Sequence, residues 1–182
     1  VAPFGLSDEL NYHGHIFWDT EGWMFPATLM TDPESARAML DYRSRLADAA
    51  RWNARLWGRR GLDFPCQTAN SGSDVTTLWA KAAFGGGAGL GVAKAFARYV
   101  YATGDRIFER EQAWPILRGV AEWIVSSVRH TRRGYEMPFD RSADEQWLWV
   151  QNSATTLWHM REALRDAAAM AGRLGYEAPA LW

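Results

Sequence analysis

Two stretches of this 182-residue chain concentrate side chains able to do chemistry. The first, HGHIFWDTEGWMFP at 13–26, sets Phe17, Trp18, Trp23 and Phe25 among two carboxylates, Asp19 and Glu21. The second, RSADEQWLWVQNS at 141–153, carries the adjacent acids Asp144 and Glu145 beside Trp147 and Trp149. A carboxyl group against apolar rings loses hydration of its charged form, so its pKa rises. A general acid requires that shift to hold its proton near neutral pH, and glycosidic cleavage needs such an acid at the leaving oxygen. A pyranose also has flat C–H faces and a polar rim, which stack on rings and hydrogen-bond to acids and amides. Eleven tryptophans fit that use. The competing structural reading makes Asp19 a cap, Trp18 a packing residue, the Asp144–Glu145 pair a solvated loop, and most of the tryptophans helical core.

Other chemistries find less support. His13 and His15 with Asp19 or Glu21 offer metal-type nitrogen and oxygen ligands, but no cysteine cluster or HExxH pattern accompanies them, so no metal is expected. GGGAGLG at 85–91 matches neither dinucleotide nor P-loop spacing and reads as a flexible connection before a helix. Cys66 is the one cysteine, which excludes an internal disulfide and a cysteine-rich metal site. No base neighbours it in sequence, so it is not expected to be a nucleophile. The net charge of −1 gives no general attraction to nucleic acid or an anionic membrane. Apolar runs fall short of the roughly 18 residues of a membrane span. No signal-peptide pattern is visible, and the compartment stays open.

These residues must be positioned by helices. DPESARAMLDYRSRLADAARWNARLW at 32–57 has Asp32 as N-cap, Pro33 in the first turn and helical spacing through Ala36, Met39, Leu40, Arg43, Leu46, Ala50 and Ala54. Gly58 closes it. Further helices are expected at 92–105, 113–130 and 152–175, the last ended by Gly175. A turn-rich loop is expected at 61–75 and an irregular connection at 131–150, with short strand pieces near 12–18 and 134–137. With nearly half its residues hydrophobic, the chain suits one globular unit.

NYHGHIFWDTEGWMFPATLMTDPESARAMLDYR resembles the central catalytic domain of glycoside hydrolase family 65, which contains trehalases, disaccharide phosphorylases and a glucosylgalactosyl-hydroxylysine glucosidase. The shared elements are G-H-x-F-W-D-x-[DE], WMFP and P-E-x-A-R-x-[IL]-L-x-Y-R. The resemblance continues at Asp144-Glu145, Val150 and Asn152. It implies an all-α fold, part (roughly half) of an (α/α)6 barrel. Residues 1–182 would be a partial catalytic domain, because twelve helices of ordinary length cannot fit. The flanking β-domains and later helices would lie outside it, and the uncovered faces would seek the missing barrel half or self-associate.

The resemblance makes Glu145 the general acid of an inverting reaction on a small carbohydrate, with no cofactor. Trp18 and Asp19 would hold the glucose on the non-reducing side. Gln67, Asp144, Trp147 and Asn152 would complete substrate binding. Asp19 and Glu21 have the chemistry of a base, though the resemblance gives Asp19 to binding. A hydrolase is expected; the alternatives are a phosphorylase and an inactive sugar-binding remnant. The family's W-E-S is Cys66-Gln67-Thr68 here, its Tyr-His is Gln146-Trp147, and its Y-T-N is Thr155-Thr156-Leu157. The histidine usual before the 92–105 helix is replaced within the glycine run.

Overall fold

The described part of the stretch 13–26 is largely regular structure. The computed structural model describes residues 14–76, 87–140 and 150–182. In it Ile16–Phe17 form a short strand, β1. Thr20–Met24 wind into a π-turn, and Phe25–Thr31 continue as helix α1. Asp32 then caps the next helix as its type predicts: Ser35 N–H donates to its Oδ1 at 3.1 Å, and Pro33 fills the first turn, where an N–H has no helical partner.

The single helix expected over 32–57 is two, α2 (Pro33–Arg45) and α3 (Ala47–Leu56). Leu46 breaks it with φ −98° and ψ 10°, and its N–H reaches back only three residues, to Arg43 O at 3.1 Å. The break lets the two halves bury against different neighbours. α2 packs on α1 and the central helix α4 (Gly87–Thr103), whereas Ala50 and Asn53 of α3 hold the loop that follows. Asp63 N–H donates to Ala50 O at 3.0 Å, and Asn53 Nδ2 donates to Gly72 O at 3.2 Å. α3 ends as the sequence predicts, with Gly58 N–H on Arg55 O and Arg59 N–H on Ala54 O, both 2.9 Å.

The glycine run does not serve as a flexible connection throughout: residues 87–91 are the first turn of α4. Glycine is a poor helix former, and here burial outweighs propensity. A methyl at Gly91 would lie 3.8 Å from Glu21 Cβ, and one at Gly89 would lie 3.7 Å from Phe64 N. Those are ordinary contact distances, and α4 packs beside the π-turn and the 61–76 loop at these positions. Leu90, Val92, Ala93, Ala95, Phe96 and Ala97 of α4 are all buried.

The helix expected at 113–130 starts upstream. A turn at Arg106–Phe108 leads through a second π-turn, Glu109–Ala113, into α5 (Trp114–Ser127). Burial pushes the Glu109 carboxyl up, but hydrogen bonds from Arg106 and Arg173, each at 2.7 Å, hold it below the ordinary range. The irregular connection begins with a hairpin of the strands Arg129–Thr131 and Gly134–Glu136. The last helix, α6 (Ala154–Leu174), packs on α4 and α5. Among the described residues no helix is long and apolar enough to cross a membrane.

Among the described residues, tryptophan is less of a core residue than the structural reading expected. Trp123 is buried, but Trp23, Trp52, Trp57 and Trp158 are exposed, Trp23 by 67%. The core is instead built from alanines and aliphatics around Phe25, Phe64, Phe96 and Phe108.

Among the described glycines, Gly61 makes the tightest approach to backbone. Its φ is +81°, and a methyl there would come 2.1 Å from Gly119 O and 2.4 Å from Trp123 N, both main-chain atoms of α5. Gly61→Ala is expected to cost about 4 kcal/mol, at the severe end for point substitutions. Gly58→Ala, with φ +66° but open space, is expected to cost about 1 kcal/mol from backbone strain alone. Denaturant unfolding of both variants separates the clash from the strain.

Candidate functional site

Trp18 and Asp19 emerge from β1, and a two-residue strand, β2 (Gln67–Thr68), pairs with it antiparallel, Ile16 opposite Thr68 and Phe17 opposite Gln67. Trp18 N–H extends the pairing to Cys66 O at 3.1 Å. The pairing joins residues about fifty positions apart and sets Trp18 and Asp19 beside Gln67 in the chain's backbone pairing. The ring of Trp18 is half-buried, with Trp23 edge-on at 5.7 Å.

Gln67 is buried. Val75 N–H donates to its carbonyl at 3.1 Å, and its own N–H donates to Thr76 Oγ1 at 3.2 Å. Its Nε2 lies 2.8 Å from His15 Nδ1. With the carboxamide nitrogen as donor, Nδ1 accepts and the ring proton sits on Nε2. This contact engages one of the nitrogens weighed above as a metal ligand; His13 lies outside the described residues. Among the described residues no three His, Cys, Asp or Glu side chains converge.

Beneath this wall is an ion pair. Arg43 Nε donates to Glu21 Oε1 at 2.7 Å and Nη2 to Oε2 at 2.9 Å, with both side chains fully buried. Arg43 Nη1 also donates to Thr68 Oγ1 at 3.0 Å. One guanidinium thereby ties the π-turn, α2 and β2 together. Both oxygens of Glu21 are occupied, so it is a brace and not an available base. Sequence reasoning missed this role, although one signal was present: Arg43 fell on the apolar spacing of α2, and a charge at a buried register needs a partner.

Asp63 lies in the same loop as Gln67. Burial pushes its carboxyl up to about 6; Arg59 opposes the shift and Asp74 adds to it. A raised folded-state pKa means that the folded chain binds the proton more tightly than the unfolded chain. The resulting stability is full below about pH 4 and is lost as pH rises through about 6. Asp63→Asn is therefore expected to match the parent near pH 4 and to exceed it at pH 7 by about 2 kcal/mol. Denaturation midpoints at the two pH values check this.

Asp144, Glu145 and Trp147 lie outside the described residues, in 141–149. The chain enters and leaves that segment through one pair: Asp140 N–H donates to Val150 O at 2.9 Å, and Val150 N–H to Asp140 O at 3.0 Å. Asn152 lies in a bend two residues past this pair, with φ 55°. Its N–H donates to Met137 O at 3.1 Å, and Met137 N–H donates to its Oδ1 at 2.8 Å. A groove of about 850 Å³ beside α5, lined by Trp114, Arg118, Glu122, Tyr176 and Trp182, contains none of the expected site residues.

Comparison with known proteins identifies the assembly. The glycosyl hydrolase family 65 central catalytic domain matches residues 1–141, a span that stops short of Glu145. The kojibiose hydrolase of Flavobacterium johnsoniae is 40% identical along the whole chain, which spans 27% of that protein. The protein-glucosylgalactosylhydroxylysine glucosidase of Mus musculus is 35% identical along the whole chain, again 27% of its length. The kojibiose phosphorylase of Halothermothrix orenii is 31% identical over 90% of the chain and 23% of its own length. The chain thus spans about a quarter of the curated relatives it matches. A solved structure of a candidate kojibiose phosphorylase from the human microbiome superposes with a TM-score of 0.84 at 20% identity, covering 93% of this chain and 25% of that one. That likeness shows the fold, an all-α part of an (α/α)6 barrel. On the match over residues 1–141, the chain belongs to glycosyl hydrolase family 65.

Proposed function

We propose that residues 1–182 are part of the barrel of an inverting α-glucoside hydrolase, acting on an α-linked glucose disaccharide or glucosyl conjugate. The later helices and flanking β-domains would come from elsewhere in the full protein. The observation that carries the hydrolase reading is 40% identity to a kojibiose hydrolase along the whole chain. In this reading Trp18 lines the glucose pocket, and Asp19 accepts hydrogen bonds from sugar hydroxyls. Gln67, Asp144 and Trp147 complete the binding surface. Glu145 gives its proton to the glycosidic oxygen as the bond to the anomeric carbon breaks. A water on the opposite face forms the new bond and gives its proton to a base. An inverting site keeps acid and base roughly 6.5–9.5 Å apart to admit that water. Glu21, locked to Arg43, is not that base. The chemistry needs no cofactor.

A phosphorylase is the second reading, supported by the 31% identity to a kojibiose phosphorylase. An inactive sugar-binding protein is the third, supported by Cys66-Gln67-Thr68 in place of the W-E-S of the resemblance. One experiment separates them: the full gene product is given trehalose, maltose, kojibiose, nigerose and glucosylgalactosyl-hydroxylysine, with and without phosphate. Phosphate-independent glucose release is the expected result. Glucose 1-phosphate formed only with phosphate makes it a phosphorylase. Sugar binding without turnover makes it a binding protein.

A further inference from the structure

We infer that His15 is a positioning residue for Gln67: its ring holds the nitrogen of the carboxamide, so that the carboxamide oxygen is the end offered to a glucose hydroxyl. This role rests on the reading of Gln67 as a substrate-binding residue.

The register of the short β-pair makes the contact possible. Phe17 stands opposite Gln67, and Ile16 stands opposite Thr68. Side chains alternate between the two faces of a pair, and residues directly opposite share a face. Continued by one residue, that alternation puts His15 on the face of Phe17 and Gln67, diagonal to Gln67. Diagonal neighbours are roughly 7–8 Å apart, within reach of a ring and a long side chain. The reach is made here, with Gln67 Nε2 2.8 Å from His15 Nδ1. Thr68, of the opposite face, is held by Arg43 instead.

The same contact decides which way the carboxamide is turned. Gln67 is only 6% exposed. Its main-chain N–H is given to Thr76 Oγ1 and its carbonyl is taken by Val75 N–H, so its backbone is fixed. The two ends of a carboxamide are alike in shape and opposite in character, with donors on nitrogen and lone pairs on oxygen. Half a turn exchanges them at little steric cost. With Nδ1 bare, the His15 ring accepts, and only the nitrogen end of Gln67 fits against it. Among the described residues, Oε1 has no hydrogen-bond partner. An acceptor left open on so buried a side chain gains by taking a hydroxyl hydrogen. It does so as a carboxylate would, without the charge.

Variants of the full-length enzyme, assayed on its best α-glucosyl disaccharide, test this. His15→Phe keeps a ring and removes the acceptor. His15→Asn returns an acceptor, Oδ1, near the place of Nδ1. Gln67→Ala removes the positioned group itself. Gln67→Ala and His15→Phe are each expected to raise KM about tenfold, the scale of one lost hydrogen bond. In His15→Phe kcat is expected to stay within about threefold, because the contact serves ground and transition states alike. His15→Asn is expected to bring KM back to within about threefold of the parent. His15→Phe added to Gln67→Ala is expected to change KM by less than about twofold, since the group that His15 positions is already gone. A merely structural role would lower the folded fraction, and so the apparent kcat, with KM unchanged. Where His15→Phe does not fold, His15→Ala removes the same acceptor from a half-buried position. A further rise of about tenfold in the double variant would make His15 a sugar contact in its own right and overturn the inference. An Asn variant no better than the Phe variant would overturn it too. If Gln67→Ala raises KM and His15→Phe does not, the positioning role alone fails. Parental KM in Gln67→Ala removes the sugar contact at Gln67, and the role of His15 with it.

Discussion

Glu145→Gln is expected to lower turnover of an α-linked glucose disaccharide by about 10³-fold, within the range that general acid catalysis contributes. Glutamine matches glutamate in size and keeps a hydrogen-bonding carbonyl, so the pocket stays filled and glucose affinity is expected to change by less than about threefold. What is lost is the transferable proton. A sugar alkoxide is a poor leaving group, and the barrier to expelling it unprotonated falls entirely on the chemical step. KM therefore holds while kcat collapses, the pattern of an interaction made in the transition state. The same variant is expected to hydrolyse α-glucosyl fluoride at close to the parental rate, because fluoride needs no proton to leave. Parental activity on the disaccharide would remove Glu145 as the acid. Equal loss on both substrates would point to damage to the pocket instead of the acid.

Local signals in the sequence were read correctly where the physics is local. Asp32, Pro33, Gly58 and Gly175 mark helix ends because caps and turns are settled within four or five residues, and the structure places helix ends at each. The break at Leu46 and the helical start at Gly87 were not legible. Both arise from what packs across the helix: the 61–76 loop against α3 and the π-turn against α4. No window of sequence around Leu46 contains Asp63 or Gly72. The same division holds at the site. Trp18, Asp19 and Gln67 were picked out through the family resemblance, and the β1–β2 pairing brings their backbones together. The His15–Gln67 contact and the Arg43 brace depend on that long-range pairing and were missed. Glu21 looked like a reactive acid because its sequence neighbours are aromatic; its partner in space, 22 residues on, is an arginine.

Arg43→Ala is expected to cost about 3–5 kcal/mol, because it leaves the Glu21 carboxylate buried without a counter-charge. Neither side chain reaches solvent, so water cannot replace the two hydrogen bonds that Arg43 gives to Glu21. Glu21→Ala is expected to cost a similar amount, by stranding the guanidinium. The double change Arg43→Met, Glu21→Met removes both charges and fills much of their volume. Buried pairs replaced by apolar residues are often neutral in stability, so the double variant is expected to be more stable than either single loss. Urea unfolding of all of these variants measures it. A strictly additive result would mean that the pair carries no coupling and that the close geometry is energetically idle. The functional effect is expected to run differently. Glu21 lies two residues after Asp19, and Arg43 also holds Thr68, the residue after Gln67. The double methionine variant restores burial without restoring the Thr68 hydrogen bond. Its stability is expected to recover while KM for the glucoside stays raised about tenfold, since the two halves of the proposed glucose wall are then no longer held in register. Recovery of KM together with stability would show that the β1–β2 pairing alone sets that register and that Arg43 acts only on stability.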